Sequence, residues 1–220
     1  MTDKKQQEPK SKERILQAAI SLFSHKGYAE TGLRELAAAA GVNLSMINYF
    51  FGSKKELLKK ILDTFLSGYL AIAEKQLAGT DDLHSRLERF ITSTTSYFDA
   101  ERDSLIITIS ELPHDDPEIV EHKASWAKQM VEIIDRELCQ EDVTGSDHQI
   151  PPTCLAPMLT SLIASRFLLG PLMEKVQQDG FKTVPIEDYA EMLATILLQG
   201  ISGSRGGSEK KSQKSGSTNI

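Results

Sequence analysis

Residues 33–51 read LRELAAAAGVNLSMINYFF, and this stretch decides the fold. Its apolar residues recur at helical spacing on either side of a single glycine. It therefore reads as two short helices, at about 33–40 and 44–51, joined by a tight turn. Two helices that cross steeply need a small residue at the crossing, and Ala37 supplies it. The turn wants a residue at ease with positive φ, and Gly41 supplies that. Leu36, Ala40, Val42, Ile47 and Phe51 fall where the pair must face a preceding helix, and Asn43 is placed to cap the second one. Leu44, Ser45, Met46, Asn48, Tyr49 and Phe50 are left as candidates to point outward.

Outward along the chain, helical spacing continues almost everywhere. A first helix is predicted from Ser11 to His25, with Ile15, Leu16, Ala19, Leu22 and Phe23 on one stripe and Gly27 as its stop. Ser53-Lys54-Lys55-Glu56 reads as a capping box before Leu57, Leu58, Ile61, Leu62, Phe65 and Tyr69 on a long helix that ends at Gly79-Thr80. Further helices are predicted at about 81–100 and 101–112. Another opens at Pro117 behind Asp116 as cap and runs to about Gln140, and two more lie at about 153–178 and 186–200. Residues 141–152 read as a polar loop, and Ser202 to Asn219, rich in Gly, Ser and Lys, as a flexible tail. Strand alternation and internal repeats are both lacking, so the chain is predicted to be all-α with about nine helices.

Charge is unevenly spread. Residues 1–60 carry eleven Lys/Arg against six Asp/Glu, residues 61–200 ten against twenty-four, and the last twenty four against one, within an overall charge of −6. A basic first quarter on an acidic body suits a protein whose N-terminal part meets a polyanion. Cys139 and Cys154 both sit in helical patterns, which points away from a disulfide framework or a zinc site and toward a reducing, cytoplasmic setting. The polar stretch from Thr2 to Lys12 lacks the apolar run of a signal peptide. The longest apolar stretch, Leu155 to Met173, is broken by Pro157, Arg166 and Pro171, so no membrane span is expected.

The outward residue types of the second short helix suit a DNA groove. Asn48 can bond a base edge or a phosphate, Tyr49 a phosphate, and Leu44 or Met46 can touch a thymine methyl. Arg34 can reach a guanine or a phosphate, and Lys54 and Lys55 stand at a helix start where cations and free N–H groups together clamp a phosphate.

The run from Ser11 to Leu57 resembles the DNA-binding domain of the TetR family of repressors. The resemblance is carried by Arg14-Ile15-Leu16, Ala18-Ala19, Phe23, Gly27-Tyr28, Thr31, Arg34-Glu35-Leu36-Ala37, Ala40-Gly41-Val42, Asn48-Tyr49-Phe50-Phe51-Gly52-Ser53-Lys54 and Glu56-Leu57. Gly32 stands where the family often has a phosphate-bonding Thr or Ser, and Asn48 where it often has Tyr. The resemblance implies a homodimer on a palindromic operator, with a helix-turn-helix domain at 9–69 and a helical effector-binding and dimerisation domain at 70–201. The implied DNA-contacting set is Thr31, Arg34, Asn43, Leu44, Ser45, Met46, Asn48, Tyr49, Phe50 and Lys54.

The acidic body offers Phe90, Tyr97, Ile109, Trp126, Met130, Met158 and Phe167 as candidates to line a cavity for a small apolar effector. His114, Asp115, Asp116, Glu118, Glu121 and His122 crowd together, but helix capping accounts for the acids better than a metal does. No nucleophile elbow or phosphate-cradling loop stands in the sequence, so neither an enzyme nor a cofactor is expected. The competing readings are a helical carrier or enzyme for hydrophobic ligands and a protein-binding adaptor; neither uses the basic first quarter.

Overall fold

The computed structural model describes residues 2–109, 116–139, 151–178, 180 and 184–203. Among these residues it is all-α: α1 Thr2–Lys26, α2 Leu33–Ala40, α3 Leu44–Phe51, α4 Lys54–Leu77, α5 Leu83–Ala100, α6 Arg102–Ile109, α7 Pro117–Ile134, α8 Pro152–Leu168, α9 Gly170–Gln178 and α10 Ile186–Gly203. A π-helical turn, Asp135–Cys139, extends α7. The expected loop at 141–152 lies almost wholly outside the described residues, as do His114, Asp115 and most of the tail.

Local chemistry sets the ends of these helices. Ser53 accepts from the Glu56 N–H, Asp82 from Ser85, and Asp116 from the N–H groups of Glu118 and Ile119 ahead of Pro117. Two expectations are corrected. The first helix begins at Thr2 rather than Ser11, because Lys, Gln and Glu are good helix formers without any apolar stripe. The single helix expected at 153–178 is two, α8 and α9, bent by 49°. Pro171 lacks an N–H and its ring crowds the carbonyl four residues back, so the helix breaks just before it. Among the described residues no single helix is long and apolar enough to cross a membrane; α8 and α9 meet that test only as the bent pair.

Two cores meet along α4. Ile15, Ala19, Phe23, Leu36, Ile47, Leu57, Leu58, Ile61 and Leu62 close the N-terminal cluster, which also takes in Ile107 of α6 and Ile119 of α7. Farther along α4, Phe65, Tyr69, Leu70, Ala73 and Leu77 join Phe90, Phe98, Ile133, Ile163, Phe167 and Leu193 in the second. One helix thus carries the floor of one core and a wall of the other. Where α4 meets α5, Gly68 makes room for Tyr97: a Cβ there would lie 2.3 Å from the phenol oxygen, which donates to Phe65 O at 2.8 Å.

On α8 and α10 the apolar residues divide. Leu159, Ile163, Phe167, Ala190, Leu193 and Ala194 are buried, while Met158, Leu162, Met192 and Ile196 stay exposed, Ile196 at 59%. The Tyr189 hydroxyl donates to Leu162 O at 2.8 Å and ties the two helices together.

Candidate functional site

The α2–α3 unit is built as its spacing requires. Gly41 adopts φ 61°, ψ 41°, the left-handed region, and its N–H donates to Ala38 O at 3.1 Å while Val42 N donates to Ala37 O at 3.0 Å. Ala37 is buried at the crossing. Asn43 Oδ1 accepts from Ser45 N at 3.0 Å and from the Ser45 hydroxyl at 3.2 Å, which starts α3. Ile47 and Phe51 sink into the N-terminal core.

The expected outward set splits. Ser45, Asn48 and Tyr49 stand open to solvent together with Asn43 and Arg34, and Tyr49 is 73% exposed. Leu44, Met46 and Phe50 are half-buried against the core, and Phe50 meets Tyr49 edge-on at 5.0 Å. Thr31 is not part of this surface. It is 1% exposed, and its hydroxyl donates to Gly27 O at 2.8 Å, so it closes the turn after α1 from within. Gly32, at the start of α2, offers no side chain to cap it.

The two lysines at the head of α4 part company. Lys54 lies 4.3 Å over the Tyr28 ring and donates to Ala29 O at 3.3 Å; burial holds its ammonium below the ordinary lysine pKa. Lys55 turns away from the expected phosphate clamp. It pairs with Asp116 at 2.8 Å and Glu118 at 3.0 Å, at the head of α7, and Lys59 pairs with Glu118 as well. The acids read from sequence as helix-start residues therefore also fasten the body to α4.

A cavity of about 1080 Å³ opens in the body between α4, α6, α7 and α8, just above the usual size range of small-molecule sites. Of the expected lining residues, Ile109, Trp126 and Met130 face it. Phe90 and Phe167 are instead core, Tyr97 packs on the core with its hydroxyl bonded to Phe65 O, and Met158 lies on the exposed side of α8. The remaining lining is mostly apolar, with Leu66 and Leu70 from α4 and Val131 from α7. The Tyr69 hydroxyl meets that of Thr160 at 2.8 Å at its edge, and burial pushes the phenol up to about 12.

A family model described as bacterial regulatory proteins, tetR family, matches residues 15–61, the span from α1 to early α4. Over that span the chain is similar to the TetR family. It is 30% identical over 89 residues to the probable HTH-type transcriptional regulator YttP of Bacillus subtilis (strain 168), covering 40% of this chain and 43% of that protein. To the HTH-type transcriptional regulator AcrR of Shigella flexneri it is 28% identical over 166 residues, 74% of this chain and 73% of that one. The chain thus spans about half the length of relatives such as YttP and more of AcrR. In fold it is similar to NalD, the secondary repressor of the MexAB-OprM multidrug efflux pump in Pseudomonas aeruginosa, with a TM-score of 0.66 at 18% identity over 89% of this chain and 97% of that one. These relatives are named as regulators, not enzymes.

Sequence reasoning missed Tyr69, Lys123 and Thr160 at the cavity, and Asp63, which bonds its wall at Trp126. Asp63 Oδ1 accepts from the Trp126 indole at 3.0 Å and meets His122 Nε2 at 2.7 Å. The available signal was weak: a partly exposed acid on the charged side of α4, among Glu56, Lys59 and Lys60.

Proposed function

We propose that the chain is a homodimeric, DNA-binding transcriptional repressor whose hold on a palindromic operator is controlled by a small apolar molecule in the body cavity. The observation that carries this reading is α3 itself. It is anchored by Ile47 and Phe51, follows a left-handed glycine turn, and presents Ser45, Asn48 and Tyr49 to solvent beside Arg34. Such a helix suits a major groove, and its polar side chains suit base edges and phosphates. The sign of control, repression, follows the family; the cytoplasm is the matching compartment.

Two recognition helices must enter successive grooves about 34–36 Å apart, which asks for a two-fold dimer. The exposed apolar side of α8 and α10 supports that reading. Met158, Leu162, Met192 and Ile196 lie opposite the face these helices already bury, and a second copy would complete a four-helix interface. Control by a ligand is supported by continuity, since α4 lines the cavity through Leu66, Tyr69 and Leu70 and carries the N-terminal core through Leu57, Leu58, Ile61 and Leu62. The direct test is selection of bound fragments from genomic DNA by the full chain. Enrichment of a short inverted repeat supports the reading, and recovery of random fragments contradicts it.

A further inference from the structure

Lys123 is the feature that an apolar effector leaves unexplained. It lines the cavity from α7, half-buried, and among the described residues no carboxylate lines that cavity with it. The other polar groups there are largely occupied. Thr108 donates to Ser104 O at 2.7 Å, Thr160 to Ala156 O at 2.9 Å and Ser165 to Leu162 O at 2.7 Å, and the exposed Lys128 leans toward Glu132 at 3.8 Å. Lys123 alone among these cations has no partner within the described residues. Burial holds its ammonium below the ordinary lysine value with no nearby acid opposing that shift. Taking a charge partly out of water without compensation is unfavourable, and a ligand carrying the opposite charge removes that penalty on binding.

We propose that the effector is an amphiphilic anion, with an apolar body that fills the cavity and one carboxylate seated on the Lys123 ammonium. This rests on the reading of the cavity as the effector site and names the ligand class that site takes. Trp126, Met130, Leu66 and Val131 supply the apolar wall, and Lys123 supplies the single fixed charge. The arrangement discriminates by sign: a cation of the same shape meets a like charge, and a neutral molecule leaves the half-buried Lys123 without a counter-charge.

The test uses Trp126, the only tryptophan in the chain and a wall of the cavity, so that intrinsic emission reports occupancy. The full chain is titrated with dodecanoate, 1-dodecanol and dodecyltrimethylammonium, all below their micelle concentrations. Dodecanoate is expected to bind at least about tenfold more tightly than dodecanol, about 1.4 kcal/mol, with the cation weakest. Lys123→Gln should abolish the preference, weakening dodecanoate while dodecanol binds no more weakly than before, and Lys123→Arg should keep it. Dodecanol or the cation matching dodecanoate on the unmodified chain overturns the proposal and leaves the cavity reading standing, as does a preference that survives in Lys123→Gln. If no probe changes the emission, the proposal and the cavity reading fall together. The comparison of three probes on the unmodified chain decides the matter even where a variant fails to fold.

Discussion

The indole N–H of Trp126 donates to Asp63 Oδ1 at 3.0 Å, joining a wall of the body cavity to the helix that floors the N-terminal core. His122, one turn earlier on α7, meets the same carboxylate oxygen at 2.7 Å. Asp63→Ala removes both contacts at once and leaves a part-buried indole N–H without its acceptor. A loss of roughly 1 kcal/mol in unfolding free energy is expected. If the cavity acts on α3 through this contact, ligand should weaken DNA binding less in the variant than in the unmodified chain. Urea denaturation and DNA titrations with and without ligand measure the two effects. An unchanged ligand effect would remove Asp63 from the path.

The ion pairs at the head of α7 give a pH signature. The hydrogen bond from Lys55 holds the Asp116 carboxyl below its ordinary 3.8, and those from Lys59 and then Lys55 hold Glu118 below its ordinary 4.5. The same pairs, Asp116 first, push the Lys55 ammonium above its ordinary 10.5. A lowered carboxyl contributes stability that is present above its unfolded value and lost as pH falls through its folded one. A raised ammonium contributes stability that is present below 10.5 and lost only as pH rises through its higher folded value. The contribution is therefore whole at neutral pH and fades in acid below the ordinary carboxyl range. These groups are exposed, so it is small and screened by salt. The denaturation midpoint of Lys55→Met, compared with the unmodified chain across pH, should show a gap that is constant around neutrality and closes in acid. A gap that widens in acid contradicts the assignment.

Gly68 should tolerate no side chain cheaply. Alanine there puts a Cβ 2.3 Å from the Tyr97 oxygen, so Tyr97 must move and give up its bond to Phe65 O. Overpacking of this kind costs about 1–3 kcal/mol, read as a lower thermal midpoint. Gly68→Ala combined with Tyr97→Phe should recover part of the loss, because the phenol oxygen is the nearest obstruction, with the ring carbon Cζ behind it at 2.7 Å.

Ile196, exposed on α10 where Leu193 and Ala194 are buried, is the sharper probe of the proposed dimer face. Leu197, on the same helix, packs against the body core, so a charge there would confuse folding with assembly. Ile196→Asp should halve the molar mass by light scattering while keeping the helical circular dichroism of the parent. An unmodified chain that is monomeric at micromolar concentration places the interface elsewhere or nowhere.

The parts of this molecule governed by neighbours in sequence were legible. The Gly41 turn, the bounds of α2 and α3, and the caps at Asn43, Ser53 and Asp116 all rest on groups within a few residues of one another. The cavity was much less legible, because apolar periodicity marks burial but does not say whether a buried face meets another side chain or a void. Phe90 and Trp126 carry the same signal, yet the first is core and the second is wall. The fate of Lys55 was hidden for a related reason. Its partners Asp116 and Glu118 lie far along the chain, and only the packing of α7 on α4 brings them together. Thr31 misled through the family pattern, since a hydroxyl beside a helix start serves a phosphate or a nearby carbonyl equally well.

The central claim is that α3 reads DNA, and it is tested most directly by anisotropy titration of the full chain against a selected fragment and a random one, over a range of salt. The unmodified chain should prefer the selected fragment, with affinity falling steeply as salt rises. Arg34, Ser45 and Tyr49 are exposed, so alanine at each should leave the thermal midpoint nearly unchanged. Loss of a base or phosphate contact should still cost roughly 1–3 kcal/mol on the selected fragment. If all three variants bind both fragments as the parent does, α3 is not the recognition helix and the account fails.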